Sequence, residues 1–290
     1  MTTHHRSEVQ GQEVYYREAG PKEAPTIVLL HGFPSSSHMF RDLISKLADR
    51  YHLIAPDYIG FGYSAHPNTK DFQYTFDNLA AVVQELLFQK LNLKNFSIYV
   101  QDYGAPIGFR IASQNPQAID TIIVQNGNAY AEGLSVAWEP LRAMWATRTA
   151  ETEKPVRAFL TAETTKFQYT QGVRDIRKVS PDSWTFDQFF LERPGNDAVQ
   201  LELFYNYQSN LALYPDWQAY FRKHQPPTLI VWGRHDPFFT VEGAKSYLRD
   251  LPQTELHLLD TGHFALEEES DAIAERISGF LQIQGRSRKA

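Results

Sequence analysis

Residues 96–108 restrict the possible folds of this chain more than any other segment. The mostly apolar run at 96–101 has the composition of a buried strand, Asp102 ends it, and Gly104 follows where a helical pattern begins. A strand that turns sharply into a helix exposes the side chain at the turn above the end of a sheet. We therefore predict a sheet covered by helices, with the carboxylate of Asp102 exposed at a strand end.

The residue at a turn of this kind is usually a serine, and here it is Asp102. A carboxylate can displace a leaving group from carbon, and it then carries the carbon fragment as an ester. This chemistry cleaves a carbon–oxygen or a carbon–halogen bond. The alternative is that Asp102 only caps the helix that follows, since aspartate is a favoured N-cap residue.

Strand-like and helical segments alternate on both sides of this turn, after a predicted hairpin around Gly11. Such alternation gives a mostly parallel central sheet with helices on both faces, which is an α/β fold. The predicted strands after the hairpin lie at 26–30, 52–55, 96–101, 121–124, 228–232 and 256–259, and the clearest helical patterns lie at 38–49, 74–91 and 267–283.

The alternation stops after Asn126 and resumes at 228–232. The residues between them contain no convincing strand pattern and are rich in Trp, Tyr, Phe and charged side chains. We interpret 127–224 as a helical cap, a lid inserted in the C-terminal half over the carboxyl ends of the strands, where α/β sheets bind ligands. The core domain then comprises 1–126 and 225–290, and an independent helical domain is the alternative.

Two further polar residues follow predicted strands beyond the insertion. Asp236 comes after the 228–232 strand and His263 after the 256–259 strand. A nucleophile, a histidine base and an acidic partner at neighbouring strand ends form the set that covalent catalysis requires. We expect His263 to activate a water that hydrolyses the ester on Asp102, and Asp236 to orient the imidazole.

The alternatives for these two residues are structural. His263 can be a core histidine, and Asp236, which precedes a proline, can be a turn residue. The rival position for the acidic partner follows the 121–124 strand, but it offers Asn126 and Asn128 rather than a carboxylate. This difference favours Asp236.

The segment HGFP at 31–34 follows the first predicted strand after the hairpin. Gly32 permits a backbone conformation closed to other residues, so an amide N–H can turn toward a pocket. We predict that the backbone N–H groups of Phe33 and Tyr103 form an oxyanion hole. The bond between Phe33 and Pro34 is a candidate cis peptide bond, because cis bonds occur almost only before proline.

In these motifs and their order, the chain resembles the α/β-hydrolase superfamily, in the branch with an aspartate nucleophile that contains epoxide hydrolases and haloalkane dehalogenases. The resemblance implies an α/β-hydrolase fold with a helical cap. One departure is Val100, which stands where the usual G-x-S-x-G turn has its first glycine. The matching motifs are HGFP at 31–34, DYIGFGYS at 57–64, the turn at Asp102, WGRHDP at 232–237 and GHF at 262–264.

The choice between epoxide and halide depends on what receives the leaving group. The resemblance implies that a dehalogenase has an indole donor beside the nucleophile, often with an amide side chain after the His-Gly pair. Here those places hold Tyr103 and Phe33. A phenol donates one hydrogen bond and a phenylalanine none, so the pair favours an epoxide over a halide.

Epoxide opening needs an acid for the departing oxygen, and the resemblance implies tyrosines of the cap in this role. The candidates are Tyr169, Tyr205 and Tyr207. Residues two apart on a helix face different ways, so we favour Tyr207 and Tyr169, with simple packing as the alternative for each. The other side chains expected to bind substrate are His31, Trp138, Tyr205 and Phe264.

Composition excludes several partners. The chain has 28 basic and 34 acidic residues among 290, a formal charge of -6, which argues against a nucleic-acid partner. It has no cysteine, and its histidines lack metal-ligand spacing, so we assign no thiol nucleophile, no metal and no cofactor.

No apolar run approaches the roughly 18 residues of a membrane span, and the polar start is unlike a signal peptide. We expect a cytoplasmic monomer or homodimer without membrane contact.

The sequence thus predicts an epoxide hydrolase that converts a small apolar epoxide and water into a diol. The alternative within this enzyme class is a haloalkane or haloacid dehalogenase. The haloacid enzymes that resemble this branch place arginines after the turn, and only Arg110 lies nearby. An alternative of another class is a non-catalytic ligand receptor on the same scaffold.

Overall fold

The computed structural model describes residues 1–287, with side chains through 285. Its centre is an eight-stranded sheet in the order β1-β2-β4-β3-β5-β6-β7-β8. β1 and β2 pair antiparallel, β2 pairs antiparallel with β4, and the pairs among the other strands are parallel. The strands are β1 (Thr3–Val9), β2 (Gln12–Ala19), β3 (Thr26–Leu30), β4 (His52–Pro56), β5 (Phe96–Gln101), β6 (Ile119–Gln125), β7 (Thr228–Gly233) and β8 (Glu255–Leu259).

The N-terminal hairpin forms around Gly11, as predicted. Gln10 and Gly11 both have positive φ angles, 51° and 72°, and Val9 pairs with Gln12 across the turn. Positive φ at both central residues is the geometry that matches a two-residue turn to the twist of its strands. The first strand begins earlier than its apolar pattern indicates, because its polar residues lie at the exposed edge of the sheet.

The central strands are buried on both faces, which explains why their apolar runs do not alternate with polar residues. In β3, Ile27 and Leu29 belong to one core cluster, whereas Val28 and Leu30 belong to the other. The first cluster also contains apolar residues of α1 and α11, and the second contains those of α2, α3 and α10. The predicted α/β architecture, with helices on both faces of a mostly parallel sheet, is confirmed.

The helices match the predicted segments with changes at their ends. The predicted 74–91 helix, for example, is α-helical only through Glu85, and a π-turn at Leu86–Lys90 follows, in which the Leu91 N–H bonds to the Leu86 carbonyl. The helices are α1 (Arg41–Leu47), α2 (Phe76–Glu85), α3 (Gly104–Gln114), α4 (Glu139–Ala146), α5 (Ala150–Arg157), α6 (Ala162–Thr170), α7 (Pro181–Leu191), α8 (Asn196–Asn206), α9 (Gln208–His224), α10 (Val241–Asp250) and α11 (Ala265–Ser287).

The segment between β6 and β7 is helical and contains α4 to α9. Its last helix, α9, packs against α3, since the rings of Trp217 and Phe221 lie 5.6 and 5.2 Å from that of Phe109. The preceding helices contribute side chains to a cavity that also contains Asp102. The division into a core and a cap at 127 and 224 remains a prediction.

Candidate active site

The turn between β5 and α3 holds Asp102 in a strained backbone conformation. Its φ is +49°, in the left-handed region that few residues other than glycine adopt. Two glycines make room for this turn. A Cβ at Gly104 would clash with the Leu30 carbonyl, and a Cβ at Gly32 would clash with the Asp102 side chain itself. The turn therefore presents the carboxylate in a fixed position above the sheet.

Two backbone amides point at this carboxylate. The Phe33 N–H donates to Oδ1 of Asp102 at 2.7 Å, and the Tyr103 N–H is also hydrogen-bonded to the carboxylate. The Phe33–Pro34 peptide bond is cis, as the sequence suggested. These are the two amides expected to form an oxyanion hole, and the structure brings both to Asp102.

The structure also brings His263 and Asp236 together. Nδ1 of His263 lies 2.7 Å from Oδ2 of Asp236, and both side chains are buried. The Oδ1 atom of Asp236 accepts from the N–H groups of Phe238 and Phe239 at 2.7 and 3.1 Å. A carboxylate held at both oxygens orients the imidazole and leaves its Nε2 directed away from Asp236.

Asn126 also holds Asp236, which the sequence did not predict. Its Nδ2 donates to Oδ2 of Asp236 at 2.7 Å, and its Oδ1 accepts from the Gly233 N–H at 2.9 Å. Its carbonyl accepts from the Asp102 N–H at 3.3 Å. Asn126 therefore connects the ends of β5, β6 and β7. The only sequence signal was its position directly after an apolar strand.

Gln101, directly before Asp102, contacts the other nitrogen of the His263 imidazole. Its Nε2 lies 2.9 Å from Nε2 of His263, and its buried Oε1 has no hydrogen-bond partner among the residues described. With the amide nitrogen on this side, Gln101 donates to Nε2 of His263, and the proton of the neutral imidazole is then assigned to Nδ1, beside Asp236. This contact was not predicted, because Gln101 reads in the sequence as part of the buried strand.

Burial and charge shift the pKa values of these groups. Burial raises the pKa of Asp102 to about 6, although the His263 charge and the Phe33 and Tyr103 N–H groups oppose the rise. Burial acts to lower the pKa of His263, but the charges of Asp236 and Asp102 and the hydrogen bond to Asp236 outweigh it and raise that pKa. An anionic Asp102 and a basic imidazole thus share one buried site.

Asp102 and His263 border a narrow cavity with mostly apolar walls. The cap contributes residues from the helices α4, α6 and α8. It also contributes residues from the segment just before α4 and from the turn between α5 and α6. The lining residues are Phe33, Asp102, Tyr103, Ala137, Trp138, Leu141, Phe159, Gln168, Phe204, Phe238 and His263.

Two cap residues, Trp138 and Tyr205, were predicted to bind substrate. Among the described residues that line the cavity, Trp138 is the only one of the two. Its indole N–H donates to the Phe238 carbonyl at 3.0 Å and is therefore already used. His31 and Phe264 are outside the lining. His31 is buried beneath the site, where its ring stacks on Tyr58 at 3.9 Å and burial lowers its pKa to about 3.

The predicted cap tyrosines lie around the cavity without lining it. Tyr207 is buried with its ring 4.5 Å from Trp138, and its hydroxyl is hydrogen-bonded to Tyr214. Tyr205 is half-buried on a different face, where Arg148 lies 4.9 Å over its ring. The expectation that Tyr205 and Tyr207 face different surroundings is confirmed.

Tyr169 is not among the residues that line the cavity. Its hydroxyl donates to Asp187 and lies 3.4 Å from the Ser35 hydroxyl, while its ring stacks on Phe264 at 3.9 Å. The expected place of Tyr169 at the cavity therefore differs from what is observed, because a buried carboxylate of α7 holds its hydroxyl. Phe264, expected to bind substrate, supports this ring instead.

Two lining residues carry polar atoms without partners. The Tyr103 hydroxyl and Nε2 of Gln168 are buried and make no hydrogen bond among the described residues. Both residues line the cavity. The sequence drew attention to Tyr103 but not to Gln168, because one glutamine next to Tyr169 in a polar helix carries no distinguishing signal.

Within residues 1–287, no group of three or more His, Asp or Glu side chains is arranged to hold a metal ion. None of the helices in this range combines the length and the apolar character needed to cross a membrane.

A solved structure of similar shape is a haloalkane dehalogenase from Bradyrhizobium elkani. It superimposes with a TM-score of 0.79 over 99% of this chain and 100% of the dehalogenase chain, at 21% identity. At this identity the likeness concerns the fold, which is the α/β-hydrolase fold.

Relatives by sequence include proteins with different activities. An uncharacterized hydrolase of Saccharomyces cerevisiae is 42% identical, over 94% of this chain and 95% of its own. A haloalkane dehalogenase of Mycobacterium marinum is 30% identical, over 91% and 87%. Epoxide hydrolase 1 of Caenorhabditis elegans is 22% identical, over 92% and 67%.

The model of the alpha/beta hydrolase fold family matches residues 25–270. This match covers most of the sheet, the whole segment between β6 and β7, and every residue of the site above. The protein therefore belongs to the α/β-hydrolase family and is a hydrolase of that superfamily.

Proposed function

We propose that this protein is an epoxide hydrolase in which Asp102 is the nucleophile, His263 the base and Asp236 the acidic partner. The observation that carries the proposal is the position of the Asp102 carboxylate. It accepts from the Phe33 N–H at 2.7 Å and borders, together with His263, a cavity with apolar walls. A serine-type hydrolase would need a hydroxyl at this turn, and the turn has a carboxylate instead.

In the first step, a carboxylate oxygen of Asp102 attacks one carbon of the epoxide ring. The carbon–oxygen bond breaks, its electron pair stays on the departing oxygen, and a hydroxyalkyl ester forms on Asp102. The departing oxygen needs a proton. Tyr103 supports this role, because the residue lines the cavity and its buried hydroxyl has no hydrogen-bond partner among the described residues.

This choice of acid differs from the one that the sequence favoured. The hydroxyl of Tyr169 already donates to Asp187, and that of Tyr207 is hydrogen-bonded to Tyr214. Either would have to exchange a buried partner for substrate. Tyr207 remains the second candidate acid, since its ring packs on Tyr103 and Trp138 at the cavity wall.

In the second step, water replaces the Gln101 amide at Nε2 of His263, which lies 2.9 Å from that amide before the reaction. Nε2 then takes a proton from the water, and the hydroxide attacks the ester carbonyl. The N–H groups of Phe33 and Tyr103 stabilise the oxyanion that forms. Ester formation also removes the negative charge of Asp102, which contributes to the raised pKa of His263. The pKa of His263 therefore falls once the ester has formed, and the imidazole is more readily neutral when it must act as a base. The tetrahedral intermediate then collapses: the bond between the acyl carbon and the diol oxygen breaks, that oxygen takes the remaining proton of the added water, and Asp102 is again a carboxylate. The diol leaves, and the proton on His263 restores the Tyr103 hydroxyl.

The donors at the cavity favour an epoxide over a halide. Phe33 has no side-chain donor, and the indole N–H of Trp138 is occupied by the Phe238 carbonyl. The free amide of Gln168 can donate to either leaving group and does not distinguish them. A neutral phenol can both hydrogen-bond and protonate an alkoxide, whereas a departing halide needs no proton. The family relationship itself does not distinguish these reactions, since both occur among the relatives.

The test uses the wild-type protein and the variant His263→Gln with a panel of terminal epoxides and 1-bromoalkanes. We expect diol from the wild type and, from His263→Gln, a peptide containing Asp102 that gains the mass of the epoxide. Halide release with an alkylated Asp102 from bromoalkanes alone would identify a dehalogenase. Binding without turnover, unchanged in Asp102→Asn, would identify a receptor. Absence of any ester on Asp102 would overturn the proposed mechanism.

A further inference from the structure

The side chain of Gln168 is a polar group in an otherwise apolar part of the cavity. Gln168 lies in α6, its exposed fraction is 3%, and it lines the same cavity as Asp102 and Tyr103. Its Nε2 is buried and makes no hydrogen bond with any residue of the described range. A buried amide without a partner is unfavourable, so a group of this kind in a binding cavity is a candidate ligand contact.

The other cap residues of the lining cannot donate a hydrogen bond to a substrate. Four of them have apolar side chains, and the fifth, Trp138, donates its indole N–H to the Phe238 carbonyl at 3.0 Å. Among the described residues of the cap that line the cavity, Gln168 is therefore the one with a free donor. The apolar ones are Ala137, Leu141, Phe159 and Phe204.

The direction of the first step places the leaving oxygen on the side of the cap. Displacement at carbon requires the attacking oxygen, the carbon and the leaving oxygen to lie nearly in line. Asp102 attacks from the sheet side, because it sits on the turn after β5. The leaving oxygen must then face the opposite wall of the cavity, which the cap provides.

The helix that carries Gln168 is held firmly. The next residue, Tyr169, donates to Asp187 of α7 and stacks on Phe264 at 3.9 Å. One turn earlier, the Thr165 hydroxyl donates to Oε1 of Gln188 at 2.7 Å. These contacts fix α6 against α7 and against the loop before α11, so the amide of Gln168 is positioned before substrate arrives.

We propose that the side-chain amide of Gln168 donates a hydrogen bond to the leaving oxygen of the substrate while Asp102 attacks the carbon. An amide N–H stabilises the developing negative charge but does not surrender its proton, which comes from the Tyr103 hydroxyl. This assignment rests on the proposed function. It also makes Gln168 a determinant of specificity, because the hydrogen bond can form only with substrates whose leaving oxygen faces the cap.

The test replaces Gln168 with leucine, which is similar in size and lacks a donor. In the His263→Gln background, we expect ester formation on Asp102 to be about tenfold to a hundredfold slower with Gln168→Leu, as for loss of one donor to a developing oxyanion. In the wild-type background, hydrolysis of the ester in single turnovers should change less than about twofold, because the leaving oxygen is by then a hydroxyl. A purely structural role would not separate the two steps.

The matched control is Gln171→Leu, the same substitution at an exposed position directly after α6. It should leave both rates unchanged. If Gln168→Leu does not fold, as judged by thermal unfolding, Gln168→Met provides the same removal of the donor with a more adaptable side chain.

Two results would overturn the assignment in different ways. Ester formation at an unchanged rate in both Gln168→Leu and Gln168→Met, with diol still produced, would refute the role of Gln168 and leave the proposed function intact. Absence of ester in His263→Gln itself would refute the proposed function, and the assignment with it.

Discussion

The side-chain amide of Gln101 donates a hydrogen bond to Nε2 of His263, with the two nitrogens 2.9 Å apart. Nδ1 of the same imidazole lies 2.7 Å from Asp236. The imidazole is thus held at both nitrogens, by an acceptor on one side and a donor on the other. Asp236 holds the proton on Nδ1, and the Gln101 donor favours the neutral imidazole, in opposition to the charges of Asp236 and Asp102 that raise the pKa of His263. The neutral form is the one that can accept a proton from water.

The contact between Gln101 and His263 predicts a change in pH dependence. Gln101→Leu removes a donor that stabilises the neutral imidazole, so the pKa of His263 should rise further. Hydrolysis of the ester needs neutral His263, and we expect the midpoint of its pH profile to move upward by about half a unit or more. Single-turnover hydrolysis measured across pH in both proteins provides the comparison. A midpoint that stays in place or falls would contradict the role of Gln101.

Ester formation should depend on the ionisation of Asp102. Burial raises the pKa of this carboxyl to about 6. Below that pH the carboxyl is protonated and a poor nucleophile, so kcat/KM should fall about tenfold per pH unit on the acid side. Removal of the His263 charge in His263→Gln should move this midpoint for ester formation higher, since that charge lowers the pKa of Asp102. An acid midpoint near the ordinary value of about 4 would refute the prediction.

The same raised pKa predicts a stability effect. Folded Asp102 binds its proton more tightly than unfolded Asp102, so stability falls as pH rises from about 4 to about 6 and the penalty is complete at neutral pH. Asp102→Asn should therefore raise the free energy of unfolding at pH 7 by about 1–3 kcal/mol. Denaturant unfolding at pH 7 and pH 4 should show the gain at the higher pH and little of it at the lower. An equal difference at both values would exclude ionisation as the cause.

Gly32 should be intolerant of a methyl group. A Cβ at this position would clash with the side chains of both Asp102 and Gln101. Gly32→Ala must displace the carboxylate, and we expect kcat/KM to fall at least about a hundredfold. The control is Gly279→Ala in α11, where no heavy atom of the described residues meets the added Cβ within 4 Å. Steady-state kinetics should show normal activity for the control, and normal activity in Gly32→Ala would disprove the steric argument.

The convergence of Asp102, Asp236 and His263 could be predicted because each follows an apolar strand. The carboxyl ends of parallel strands meet at one edge of a sheet, so residues after β5, β7 and β8 come together even though the chain between them is long. The two amide side chains at this edge were harder to predict. Gln101 and Asn126 act through contacts across strands, and single-strand patterns contain no information about such partners.

Local patterns in the sequence are sufficient to predict the α/β architecture, the turn that exposes Asp102 and the order of the residues around it, because strand periodicity and turn chemistry are local properties. The identity of the cap side chains that face the cavity, in contrast, depends on tertiary packing. Gln168 and Tyr169 are neighbours in one helix, yet the first lines the cavity and the second donates to Asp187. Successive residues of a helix point about 100° apart, and the face that meets the cavity depends on how α6 packs on α7 and on Phe264. That packing joins segments far apart in the chain, and no local pattern specifies it.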